Sequence, residues 1–176
     1  MLLTCGAFAQ SSSPPKNDFA VWFSRSFANG HAFGFIQDRS LTRLEFRYGR
    51  LLWSDYGLAL RYVIDAVPVA VVGNPRVFGG GLSPVGAQMN FGSRHRVQPF
   101  LASNGGFLYF TRPTPAPDAT QFNFSVFIAG GAQILASSRY GLDVGYMYHH
   151  FSNANVTNHN PALDAHMIFV GLSFLR

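Results

Sequence analysis

Residues 41–53, LTRLEFRYGRLLW, place Leu44, Phe46 and Tyr48 on one side of an extended chain and Arg43, Glu45 and Arg47 on the other. Successive side chains of a strand point to opposite faces, so this alternation predicts a strand with one apolar and one polar face. The pattern recurs. Leu58, Leu60, Tyr62 and Ile64 oppose Arg61 and Asp65; Val85, Ala87, Met89 and Phe91 oppose Gln88 and Asn90; Phe122, Phe124, Val126 and Ile128 oppose Asn123, Ser125 and Gln133. Eight such segments are expected, starting near Phe19, Leu41, Tyr56, Gly81, Val97, Phe122, Tyr140 and His166, with Pro99 and Gly105-Gly106 interrupting the fifth. The connections alternate. Long ones fall at residues 29–40, 68–80, 111–121 and after Phe151, and short ones at 54–55, 93–96 and 137–139.

Composition decides which face meets what. Charged residues make up 12% of the 176-residue chain, about half the share usual in a soluble domain. The chain has 18 Phe and 7 Tyr against a single Lys and a single Glu. A soluble barrel would present Lys and Glu on its outer polar face. Here the apolar faces are assigned to lipid, and the mixed Arg, Glu, Asp, Gln and Asn sets to a small lumen where charges pair. No apolar run is long enough for a membrane helix. Segments of about ten residues, tight turns alternating with long loops, and backbone that must pair internally point to an all-β fold, an eight-stranded antiparallel transmembrane β-barrel of the bacterial outer membrane.

The net charge of +5 comes from scattered Arg rather than a basic tract, so nucleic acid is not an expected partner and phosphate-bearing outer-membrane lipids are. The start, MLLTCGAFAQSSSPP, carries a small-x-small site at Ala7-Phe8-Ala9 like the end of a secretory signal. Residues 1–9 are read as a signal remnant whose true start lies upstream, 10–17 as a linker and 18–176 as a single barrel domain. Cys5, the one cysteine, would leave with the signal, so no disulfide is expected.

The chemistry gathers at HHFSNANVTNHNPALD, residues 149–164. In the seventh strand Tyr140, Leu142, Val144, Tyr146 and Tyr148 form the lipid face, and continuing the alternation puts His150 and Ser152 on that side and His149 inside. In the eighth, Ile168, Val170, Leu172 and Phe174 extend back to His166 and Asp164. Residues two apart on a strand share a face at roughly 6–7 Å, so His150 can reach Ser152 while an acid on the next strand holds the far ring nitrogen. The plain alternative is a polar pair at a hairpin mouth.

HFSNA followed by NPALD resembles the outer-membrane lipid A 3-O-deacylase family of the PagL type, over the last third by motif and over the whole barrel by architecture. The resemblance implies Ser152 as nucleophile, His150 as general base and Asp164, where the best-known members carry Glu, as the acid orienting the histidine. It also implies Asn153 and the backbone at Ala154 as the oxyanion site, and no cofactor. The reaction implied is hydrolysis of the ester-linked 3-hydroxyacyl chain at the 3-position of lipid A, with the site toward the outer leaflet and Tyr146 and Tyr148 as candidate substrate contacts. Lipid A within lipopolysaccharide is the partner implied, and a homodimer is left open.

Two rivals stand beside this reading. His149, His150, His159 and His166 crowd one region, but opposed faces at His149 and His150 and the lack of Cys or tight His spacing argue against a metal site. A non-catalytic barrel with a structural or adhesion role is the other. An eight-stranded barrel leaves a lumen that side chains fill, so a wide pore is not expected.

Overall fold

The computed structural model describes residues 14–93 and 95–176. The signal remnant assigned to residues 1–9 and the first half of the linker, residues 10–13, lie outside the described residues. Eight strands follow in order: β1 (Asn17–Asn29), β2 (Leu41–Asp55), β3 (Leu58–Val72), β4 (Val77–Phe91), β5 (Val97–Phe110), β6 (Phe122–Leu135), β7 (Tyr140–Ser152) and β8 (Ala162–Leu175). Each pairs antiparallel with its sequence neighbours, and β1 pairs with β8 to close the barrel. Closure gives the outer strands β1 and β8 partners for the backbone groups that an open sheet would leave facing hydrocarbon.

The faces follow the alternation. Arg43, Glu45 and Arg47 are buried inside, whereas Phe23, Phe46, Leu101, Ile128, Ile168 and Leu172 are exposed on the outer wall. The strand ends depart from expectation in three places. Tyr56 lies in the turn before β3; β4 starts at Val77 rather than Gly81; and β8 starts at Ala162 rather than His166. The connection expected over residues 68–80 shrinks to 73–76. A register shift between Val67 and Ala70 in the β3–β4 pair takes Pro68 out of the hydrogen-bond ladder, which lets the strand continue past it.

The lumen is half polar and half apolar. Arg47 holds Asp65 through two bonds of 2.8 and 2.9 Å and donates to Gln88, while Asn104 donates to Asp65. Arg43 pairs with Glu45 at 3.1 Å. The Arg47 guanidinium lies 3.7 Å from the Trp22 ring centre, and Trp22 stacks on Phe169. Such pairing offsets the large cost of taking charges out of water. Toward the long-loop end, Leu41, Val72, Val77, Phe110, Phe151 and Leu163 are buried at the strand ends. They fill the mouth with hydrocarbon, an apolar layer that the alternation of polar residues did not announce.

Candidate active site

The site sits at the long-loop ends of β7 and β8, where His150 pairs in register with Asp164 and Ser152 with Ala162. His150 and Ser152, two residues apart, share the outward side. His150 Nδ1 lies 2.6 Å from Asp164 Oδ1, and His150 Nε2 lies 3.3 Å from Ser152 Oγ. An ionised carboxylate only accepts, so Nδ1 carries the hydrogen and Nε2 turns a lone pair toward the serine hydroxyl. The arrangement can therefore draw the proton from Ser152 as its oxygen attacks.

Asp164 is in phase with the lipid face yet fully buried. The β1–β2 loop, residues 30–40, folds against the end of β8 and covers it. The Gly30 N–H donates to the Asp164 carbonyl at 2.9 Å, and the Phe35 and Ile36 N–H groups both donate to the Ala162 carbonyl at 3.1 Å. The Phe33 and Gly34 N–H groups each donate to Asp164 Oδ2 at 2.8 Å. Close approach requires glycine here. A Cβ on Gly34 would stand 2.6 Å from the Asp164 backbone nitrogen, and one on Gly30 would stand 2.5 Å from the Tyr148 hydroxyl. The Phe33 ring meets His150 edge-on, 5.8 Å between centroids.

After Ser152 the chain turns sharply, with the Val156 N–H donating to the Asn153 carbonyl at 3.1 Å. Ala154 and Asn155 both take positive φ, 52° and 60°, a left-handed conformation costing an alanine about 1–2 kcal/mol. That turn aims the Ala154 N–H at Ser152 Oγ, 3.4 Å away. Asn153, expected at the oxyanion site, is engaged within the loop. Its amide donates to Thr157 Oγ1 at 3.0 Å and to the His159 carbonyl at 2.8 Å, and its oxygen accepts from the Asn155 N–H at 3.1 Å. Both amide hydrogens are committed to the β7–β8 loop, so the Asn153 side chain shapes the turn.

The two tyrosines expected as substrate contacts separate. Tyr146 is exposed on the outer wall, its hydroxyl 2.6 Å from His166 Nδ1. Tyr148 instead turns its hydroxyl to the acid, donating to Asp164 Oδ2 at 2.6 Å and accepting from the Ala32 N–H at 3.2 Å. His149 points inward to Ser125 Oγ at 2.9 Å, fully buried. A cleft on the β1–β2 rim, lined by Ser26, Phe27, Asn29, Asp38, Arg39 and Asn74, holds none of the three triangle residues.

The strand alternation thus brought forward His150, Ser152 and Asp164, and the structure brings those three side chains together. It did not indicate the loop donors at Phe33 and Gly34, which are backbone groups with no side-chain signature. The Tyr148 hydroxyl had one available signal, its in-phase position two residues before His150.

An eight-stranded antiparallel barrel closed between β1 and β8, with apolar side chains exposed around its outer wall, is the architecture of an outer-membrane barrel. The sequence model of a family described as lipid A 3-O-deacylase (PagL) matches residues 40–173, and the chain belongs to that family. The crystal structure of the outer membrane enzyme PagL is similar with a TM-score of 0.69 at 18% identity, over 88% of this chain and 97% of that one. Neisserial surface protein A (NspA) is similar with a TM-score of 0.50 at 13% identity, over 91% of this chain and 94% of that one. Identities this low concern the fold alone. No curated sequence matches the chain.

Proposed function

We propose that this protein is a lipid A 3-O-deacylase working as a serine esterase, with Ser152 as nucleophile, His150 as general base and Asp164 as the group that fixes the imidazole. The observation carrying this is the unbroken sequence Asp164 Oδ1, His150 Nδ1, His150 Nε2, Ser152 Oγ at 2.6 and 3.3 Å. A barrel with only a structural or adhesion role has no physical need to hold that triangle. The separation at the serine is longer than a tight hydrogen bond, as is common before substrate closes the geometry.

Ser152 Oγ attacks the ester carbonyl at the 3-position and passes its proton to His150 Nε2. The carbonyl oxygen gains negative charge, and the Ala154 N–H, already directed at the serine, donates to it. Collapse breaks the bond to the sugar oxygen, which takes the proton from His150. Water, deprotonated by the same nitrogen, then releases the fatty acid and restores the Ser152 hydroxyl. Asp164 supports the imidazolium in both halves. An outward-facing site beside the long loops suits an ester held at the outer-leaflet surface, with the acyl chain along the apolar wall.

The test is mass spectrometry of lipid A from cells making the parent or Ser152→Ala at equal outer-membrane levels. Loss of one ester-linked acyl chain with the parent alone is the expected result. Unchanged lipid A with a correctly inserted parent refutes it.

A further inference from the structure

Asp164 receives more hydrogen bonds than orienting one histidine requires. Its Oδ1 holds His150 Nδ1 at 2.6 Å, while its Oδ2 takes the Tyr148 O–H at 2.6 Å and the Phe33 and Gly34 N–H groups at 2.8 Å each. Each carboxylate oxygen offers about two lone-pair sites, so three donors crowd Oδ2 beyond its own two, while Oδ1 keeps one direction free beside its bond to His150. An aspartate side chain has two rotatable bonds, and a bond to His150 alone would let the carboxylate swing with the ring. Three donors on the far oxygen remove that freedom. The Tyr148 hydroxyl is itself held, because the Ala32 N–H donates to it.

We propose that Tyr148 is a positioning residue of the esterase reaction that acts only through Asp164, and that the β1–β2 loop backbone at residues 32–34 completes the same clamp. This rests on the triad reading above. Tyr148 lies beside the site but spends its hydroxyl on the acid, so removing that hydroxyl alters the orientation of His150 without altering substrate contact. The loop and the reaction are coupled by the same bonds. Lifting the loop away from β8 strips two donors from Asp164 and the Ala32 donor from Tyr148.

The test uses the purified full chain in mixed micelles of detergent and lipid A. Tyr148→Phe keeps the ring that meets His166 edge-on and deletes only the hydroxyl. Loss of one hydrogen bond to a charged group predicts a fall in kcat of about tenfold, with KM changed less than about twofold. In an Asp164→Asn background the same substitution produces no further loss, because the imidazole whose orientation Tyr148 secures can no longer take the serine proton. Gly34→Ala, whose Cβ would meet the β8 backbone at residues 162–164, pushes the loop donors off Asp164 while the Tyr148 hydroxyl stays in the chain, and lowers kcat in the same way. Phosphonylation of Ser152 by a fluorophosphonate probe slows in parallel, reading serine activation with no lipid A present. A raised KM at unchanged kcat for Tyr148→Phe makes it a substrate contact and overturns the proposal. So does a loss that multiplies with that of Asp164→Asn, or a probe rate that Tyr148→Phe leaves unchanged. Failure of the parent to deacylate lipid A while the probe rates behave as stated would remove lipid A as substrate and leave the clamp standing.

Discussion

Replacing Asp164 by Asn changes one atom, and the structure dictates which way the new amide turns. Three donors, from Tyr148, Phe33 and Gly34, converge on the position of Oδ2, so the single amide oxygen must go there. Facing an NH2 toward them would leave buried donors unmet at about 1–3 kcal/mol each. The amide nitrogen is then forced to the Oδ1 position, 2.6 Å from His150 Nδ1. Two N–H groups cannot face each other, so His150 moves its hydrogen to Nε2 and accepts at Nδ1. Nε2 then presents a hydrogen to Ser152 and can no longer take one. The same tautomer reversal in another serine hydrolase lowers kcat by about 10⁴-fold, and a loss of about 10³ to 10⁴ is expected here. The loop stays seated, because its acceptor survives. The assay is release of fatty acid from lipid A by purified variant, with heat-dependent mobility on gels checking that the barrel has formed. An Asp164→Asn variant retaining more than about one-tenth of the parent kcat would refute the tautomer argument.

Other consequences follow from the barrel. Arg47→Leu leaves Asp65 buried with Asn104 as its one remaining side-chain donor among the described residues, and should cost about 3–5 kcal/mol in urea unfolding from lipid vesicles. Ile168→Arg, at the middle of the exposed outer wall of β8, should cost about 2–4 kcal/mol in the same experiment if that wall faces lipid, and nearly nothing if it faces water. Ala154→Gly relieves the left-handed conformation at φ 52° but adds freedom to the unfolded chain, so stability should stay within about 1 kcal/mol of the parent. Its kcat should also be kept, because the N–H that faces Ser152 belongs to the backbone.

Membership in the family and the lumen network bear on each other. An eight-stranded barrel has an interior just wide enough for side chains to fill, and that filling backs the wall that carries the site. Here the Arg47–Asp65 pair and the Trp22 stack fill the interior, and Phe151 of the apolar mouth lies against His149, 6.0 Å between ring centroids. The strand carrying His150 is thus fixed from behind by packing and from above by the β1–β2 loop.

How far the sequence could be read depends on which interactions are local. The side to which Arg43, Phe46, His150 or Ile168 points is decided by the pleat of its own strand, and a period of two is visible in a dozen residues. That is why the barrel, its inner and outer faces, and the shared side of His150, Ser152 and Asp164 were legible. What Asp164 touches was not, since two of its partners are backbone N–H groups of a loop about 130 residues away in the chain, brought there by the pairing of β1 with β8. Backbone donors carry no residue signature. Likewise the commitment of the Asn153 amide to Thr157 and His159, and of the Tyr148 hydroxyl to the acid, depends on where two loops come to rest. The sequence determined which side chains could meet on the outer wall. Only the closed tertiary structure decided which polar atoms each would hold, because hydrogen-bond partners are chosen by positions in space that closure creates.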